Sequence, residues 1–310
     1  MMPIVLIVAG LALLFLGGEA LVRGSVSLAR RLGVSEIAVG VVLVGFGTSA
    51  PEMLVSVESA LLNHPNIALG NVLGSNIANI LLIVGTAALV MPIHLKAGTG
   101  CRECMVVLIA TTTVVILAWF GPLGLWQGVI MLLALAAYLA MAWCKGGPDA
   151  DEDDEEDTSP LPSTGKAVCF ALGGLALLIV GADLLVKGAI DIARDLGITE
   201  TVIGLTIVAV GSSLPELAAS VMAALRGRPS VAIGNVLGSN LFNLLGALGI
   251  IAVIMPVDTS GPEVHFSMLA MLALTGCFVA LVATRRVTRL VGAIFLATYA
   301  GFIWMQFAIG

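Results

Sequence analysis

The sequence predicts an all-α integral membrane protein with ten transmembrane helices in two inverted-topology repeats of five. Three observations carry that reading. Of 310 residues, 59% are hydrophobic and only 11% charged, with a mean hydropathy of +1.10; a chain of that composition belongs in a bilayer. Ten apolar segments are long enough to cross a hydrocarbon core as helices, the form that satisfies every backbone group within its own segment. Residues 17–92 align without a gap with residues 181–256 at a constant offset of 164, and 34 of those 76 positions are identical. Each half of the chain holds five spans. Five is odd, so the second copy enters the membrane with opposite polarity, and the repeats are related by a pseudo-two-fold axis in the membrane plane.

The spans fall near 3–22, 37–61, 67–90, 103–120, 123–144, 167–187, 201–225, 231–254, 264–284 and 287–308. The first has no basic stretch before Pro3–Leu16 and reads as a membrane span, not a cleaved signal. The second is interrupted. Residues 45–52 read Gly-Phe-Gly-Thr-Ser-Ala-Pro-Glu, and a carboxylate at the middle of a span costs about 2.5–3.5 kcal/mol on insertion scales. The same interruption returns at 209–216, Ala-Val-Gly-Ser-Ser-Leu-Pro-Glu. Interrupted spans at corresponding places in two halves point to a midplane transport site. Thr48 or Ser49 can cap a new helix there, Pro51 is tolerated in its first turn, and Glu52 follows Ser49 at capping-box spacing. The second span is therefore expected to break into two half-helices at 45–50, and helices 2, 3, 7 and 8 to be broken or kinked around the site.

Between the fifth and sixth spans lies a hydrophilic segment with eight carboxylates between Asp149 and Asp157. It divides the chain into an N-terminal repeat (1–144), an acidic linker (145–166) and a C-terminal repeat (167–310). The linker has no EF-hand, since Asp154 and Pro160 stand where the loop requires Gly and Glu. Without the run, 12 acidic residues face 14 basic ones, so the formal charge of −6 says little about the membrane body. No basic stripe with interleaved aromatics suggests a nucleic-acid partner. With the N-terminus outside, twelve of the fourteen Lys and Arg lie on inner loops and flanks, and only Lys187 and Arg194 lie outside. That asymmetry places both termini outside and the linker in the cytoplasm.

The odd count of five cysteines argues against a disulfide framework. Cys101 and Cys104 form a lone CxxC with only His94 nearby, short of a structural zinc site. Glu19 and Asp183 occupy equivalent positions and read as partners of Arg23 and Lys187 one turn on.

Ser49, Glu52 and Ser56 share one helix face, as do Ser213, Glu216 and Ser220. In the third and eighth spans Asn71, Ser75 and Asn79, and Asn235, Ser239 and Asn243, form complementary faces at spacings of four. Gly70/Gly74 and Gly234/Gly238 are GxxxG patterns that allow close backbone approach. Brought together by the two-fold, these groups give an all-oxygen, carboxylate-bearing set without sulfur or imidazole, which suits Ca²⁺ and Na⁺ and argues against Zn²⁺ or Cu⁺.

The stretches Gly47-Thr-Ser-Ala-Pro-Glu52 with Gly70-Asn-Val-Leu-Gly-Ser-Asn-Ile-Ala-Asn79, and Gly211-Ser-Ser-Leu-Pro-Glu216 with Gly234-Asn-Val-Leu-Gly-Ser-Asn-Leu-Phe-Asn243, resemble the two α-repeats of sodium/calcium exchangers, a family of calcium/cation antiporters. The resemblance covers about half the chain. It implies alternating access and exchange of several Na⁺ for one Ca²⁺. Glu52 and Glu216 would ligate Ca²⁺ and share Na⁺. Thr48, Ser49, Ser212, Ser213, Ser75 and Ser239 would supply hydroxyl or carbonyl oxygens, joined by backbone carbonyls near Gly45 and Ala209. Asn79 and Asn243 would flank the centre. K⁺-dependent relatives carry Asp where this chain has Asn243, so exchange without K⁺ is expected. No cofactor, nucleic acid or obligate protein partner is implied beyond the transported ions and the lipid bilayer. The other transport reading is cation/H⁺ exchange through the same carboxylates. An enzyme is disfavoured because no Ser/His or paired-Asp constellation appears.

Overall fold

The computed structural model describes residues 2–96, 98–144, 162–197, 207 and 209–309. The acidic run and the start of the seventh expected span lie outside the described residues. The described residues are mostly helical, and their longer helical segments are α1 Met2–Leu32, α2 Glu36–Leu61, α3 Pro65–Val90, α4 Cys101–Trp119, α5 Leu125–Cys144, α6 Thr164–Asp195, α7 Leu214–Leu225, α8 Pro229–Ile254, α9 Pro262–Ala283 and α10 Arg289–Ile309. Among the described residues eight of these are long and apolar enough to cross a membrane, and α7 and α10 contribute shorter apolar stretches.

α1 and α6 pack along most of their length as an antiparallel pair. Gly10 faces Gly181, Gly17 faces Gly174, and Gly188 faces Pro3. The glycines recur every seven residues on both helices, so each heptad presents bare backbone to its partner. At 31 and 32 residues, each is about 46–48 Å long. That exceeds a hydrocarbon core of about 30 Å, so the pair tilts or projects beyond it.

α3 and α8 form the centre. Their apolar windows are 78% and 83% buried, against 28% for α1, α6 and α9. Each leans on the opposite half. Gly85 of α3 meets Gly292 of α10, while Gly249 of α8 meets Gly128 of α5. Just beyond these helices, the two-residue strands β1 (Ile93–His94) and β2 (Arg286–Val287) pair antiparallel, and Leu123 pairs with Val257 in the symmetric place. The halves interlock instead of sitting side by side. Gly234 and Gly238 of α8 also press on the α2 backbone at Ile37–Val41, whereas Gly70 and Gly74 meet nothing within 4 Å among the described residues.

The break expected at 45–50 is absent. α2 runs through, with Gly45 and Phe46 both in helical conformation. A wide π-turn at Gly40–Gly45 precedes the motif. Similar turns occupy Asn79–Val84 in α3 and Phe242–Ala247 in α8. A π-turn inserts a residue and loosens the i→i−4 ladder without ending the helix, so carbonyls are released at no cost in continuity. The capping role expected of Thr48 is also absent: its hydroxyl donates back to the Val44 carbonyl at 3.0 Å. The second copy does break. A short helix, Ala209–Ser212, is separated from α7 by Ser213 at φ −92°, ψ 6°.

The Glu19 expectation is corrected too. Glu19 pairs with Arg226 of the other half, while Arg23 stacks over Phe170. Side chains at i and i+4 can pair, but here a helix from the second repeat brings a guanidinium closer. Asp183 pairs with Lys187 at 2.7 Å as expected.

A Cβ at Gly17 falls 2.8 Å from both the Gly174 carbonyl and the Leu178 nitrogen. Gly17→Val is expected to cost about 1–3 kcal/mol by overpacking, read as a lower midpoint in thermal unfolding of the detergent-solubilised protein. Gly173→Ala, in open space on the same helix pair, is expected to be neutral or to stabilise by up to about 1 kcal/mol through helix propensity.

Candidate cation site

The two carboxylates meet at the centre of the molecule. Glu52 of α2 and Glu216 of α7 are 2% and 1% exposed and lie close enough to interact electrostatically. Each is held by the serine of the other motif. Ser49 Oγ donates to Glu216 Oε1 at 3.1 Å, and Ser213 Oγ donates to Glu52 Oε1 at 3.3 Å. This crossed pair is what the two-fold makes of the sequence Ser-x-x-Glu. In one helix that spacing suggests a cap; across two inverted helices it becomes an exchange of hydroxyls.

The remaining oxygen of each carboxylate, Oε2, has no hydrogen-bond partner among the described residues, and neither do Asn79 Oδ1 and both polar atoms of Asn243. Buried polar atoms are satisfied with few exceptions, so these five orphaned atoms make their residues candidates for ligand binding. No three His, Cys, Asp or Glu side chains cluster among the described residues. Beyond two carboxylates, the donors here are therefore hydroxyl, amide and backbone oxygens, the hard set favoured by Ca²⁺ and Na⁺.

Of the sequence-derived set, Thr48, Ser49, Ser213, Ser239, Asn79 and Asn243 are all buried in this central region, with Ser75 at 6% exposure. The Gly45 carbonyl accepts from Ser239 Oγ of α8 at 3.5 Å. Ser212 ends the short helix Ala209–Ser212 and is less deeply buried than Thr48. Ala209 begins that helix.

Asn71 and Asn235, placed on the lining faces but not among the ligands, prove to be clamps. Asn71 Nδ2 donates to the Glu52 carbonyl at 3.2 Å and to Ser56 Oγ at 2.8 Å. Asn235 Nδ2 donates to the Glu216 carbonyl at 3.1 Å and to Ser220 Oγ at 2.8 Å. Each asparagine thus binds the backbone of the catching carboxylate's own residue and a hydroxyl one turn on, fixing where the glutamate sits. Asn235 Oδ1 lies 3.1 Å from Thr48 Oγ1 and competes with the Val44 carbonyl for that hydroxyl's single proton, a contact that brings α8 against α2. The signal for these clamps was identity between the copies: Ser56/Ser220 and Asn71/Asn235 are unchanged.

A family model described as sodium/calcium exchanger protein matches residues 2–144 and 166–308. The chain belongs to the sodium/calcium exchanger family. It is 36% identical to CaxA of Alkalimonas amylolytica over 98% of both chains. It is 29% identical to the sodium/calcium exchanger MaX1 of Methanosarcina acetivorans, again over 98% of both. Its fold is similar to that of the sodium-calcium exchanger NCX_Mj soaked with zero Na⁺ and Ca²⁺, with a TM-score of 0.87 and 30% identity, covering 98% of this chain and 99% of that one. The membrane character and the helical fold of this family member follow from its apolar helices and that likeness.

Asn235→Ala removes two donated bonds and leaves the Ser220 hydroxyl buried. A stability loss of about 1–3 kcal/mol is expected, measured as the fraction of monodisperse protein surviving graded heating. Thr298→Ala, on the exposed face of α10, is expected to stay within about 0.5 kcal/mol.

Proposed function

We propose that this protein is a secondary antiporter that exchanges Na⁺ for Ca²⁺ by alternating access, without K⁺. The observation that supports it best is the crossed serine–carboxylate pair. Each glutamate has one oxygen held by a hydroxyl from the opposite repeat and a second oxygen free for a ligand. Two carboxylates neutralise one Ca²⁺ or two Na⁺, so the ions compete for the same oxygens, and competition is the basis of exchange. The site sits between inverted helices, the geometry that lets two arrangements of one structure open it in turn. Any net charge moved per cycle is driven by membrane voltage at about 2.3 kcal/mol per charge per 100 mV.

In this reading Glu52 and Glu216 are the Ca²⁺ ligands. Thr48, Ser49, Ser75, Ser212, Ser213, Ser239, Asn79, Asn243 and the carbonyls of Gly45 and Ala209 complete the cage. Asn243 is neutral, which leaves the cage with at most two negative charges and supports independence from K⁺. Residues 1–144 and 167–310 act as the two repeats. Both termini lie outside, and the acidic linker 145–166 lies in the cytoplasm.

Na⁺-loaded proteoliposomes are expected to take up Ca²⁺ when diluted into Na⁺-free medium, at a rate unchanged by K⁺ on either side. Glu52→Gln and Glu216→Gln should each reduce uptake to the level of empty vesicles. Uptake that survives either substitution overturns the ligand assignment. Ca²⁺ flux driven by a pH step with Na⁺ absent from both sides replaces Na⁺ coupling with H⁺ coupling. Asn243→Asp adds a third carboxylate and is expected to make uptake respond to K⁺.

A further inference from the structure

Asn76 and Asn240 are equivalent residues of the two repeats and belong to neither the ligand set nor the clamps. The structure treats them differently. Asn79 Nδ2 donates to Asn240 Oδ1 at 3.0 Å, across the pseudo-two-fold. The mirror contact, from Asn243 to Asn76, is not made. Asn76 Nδ2 instead donates back to the Val72 carbonyl of its own helix at 2.7 Å. Asn76 Oδ1 and both polar atoms of Asn243 have no partner among the described residues. All four side chains are 1% exposed, so water does not supply the missing bonds from bulk.

The formed contact has a chemical consequence. With its nitrogen held by Asn240, the Asn79 amide has its oxygen left as an unpartnered acceptor. That is the orientation a cation requires, since an amide nitrogen repels it. Asn243 has no such partner among the described residues, so no hydrogen bond sets which of its amide atoms faces which way. A buried amide without partners is unfavourable, and an equivalent acceptor is available on the equivalent residue.

We propose that Asn76 and Asn240 are positioning residues for the ion-binding amides Asn243 and Asn79, and that they work in alternation. In the state described here Asn240 orients Asn79. In the state of opposite access the repeats exchange conformations. Asn243 then donates to Asn76, Asn240 turns back to the Val236 carbonyl, and the Asn79–Asn240 bond opens. One amide at a time is presented oxygen-first to the ion, and each contact favours one access state only. This inference rests on the exchange reading of the site.

The test uses the full-length protein in oriented proteoliposomes, with apparent Ca²⁺ affinity measured at each face. A bond present in only one of two states biases their ratio by about three- to tenfold. Asn240→Ala is expected to shift the ratio of the two affinities by that factor in one direction, Asn76→Ala by a similar factor in the other. The double variant should return to within about twofold of the unsubstituted protein. A purely structural role moves both single variants the same way, and that result, or no shift in either, overturns the proposal. Asn240→Ser and Asn76→Ser remove the same contacts and carry the same expectation should an alanine variant not fold. A second arm needs no transport. Backbone hydrogen exchange in ion-free protein should be slower at 79–84 than at 242–247, and Asn240→Ala should abolish the difference while Asn76→Ala preserves it. Equal exchange at the two turns in the unsubstituted protein overturns the amide pairing. Absence of Na⁺-driven Ca²⁺ uptake there overturns the exchange reading instead.

Discussion

Two carboxylates buried beside one another in a bilayer protein set the terms for everything around them. Each charge costs several kilocalories to remove from water, and together they repel. The structure answers with one hydroxyl from the opposite motif for each glutamate and with asparagine clamps on their backbones. That arrangement satisfies one oxygen of each carboxylate and leaves the other without a partner among the described residues. A fully satisfied pair would bind nothing, and an unsupported pair would not stay in place.

The packing serves the same constraint. Serines and asparagines are short, so their bonds across the two-fold form only if the backbones come close. Glycine makes that possible where α2 crosses α8, with Gly40 and Gly45 against Gly234 and Gly238, and again in the α1–α6 pair. The π-turns next to the site solve a related problem. They loosen the backbone ladder within a continuous helix, so a carbonyl such as that of Gly45 can turn to another donor, Ser239 Oγ, without a helix end being buried. The exchange of contacts between halves, α3 on α10 and α8 on α5, ties the two repeats into one core, in which local differences such as the asparagine pairing are able to break an otherwise close symmetry.

Much of this was legible in the chain. Apolar segments of spanning length gave the helix boundaries to within a few residues at most positions. The first and sixth helices differ, because Arg23–Leu32 and Gly188–Asp195 continue as helix past the apolar run, and the expected start of the seventh lies outside the described residues. Local spacing cannot tell a helix that ends at its first polar turn from one that projects beyond the hydrocarbon. The half-helix break at 45–50 was misplaced for a similar reason. Gly-Thr-Ser-Ala-Pro is compatible with a helix end, but contacts from α8 and α7 supply partners for Thr48 and Ser49, and with partners available the helix continues. Glu19 illustrates the same limit: its partner Arg226 lies 207 positions away.

The sequence by itself determined the class of the protein, the duplication, and the paired polar motifs within apolar spans, because hydropathy, repeat identity and a doubled Pro-Glu are properties of composition and order. Tertiary structure alone decided how those residues are used. Whether a serine caps its own helix or holds the other repeat's glutamate, and whether an asparagine pairs with another asparagine or clamps a backbone, depends on distances between helices that no local spacing encodes. The asymmetry between the two copies also belongs to the structure. Asn76 and Asn240 are the same letter in the same frame, and only the packing at the centre assigns one of them to a partner and turns the other back on its own helix.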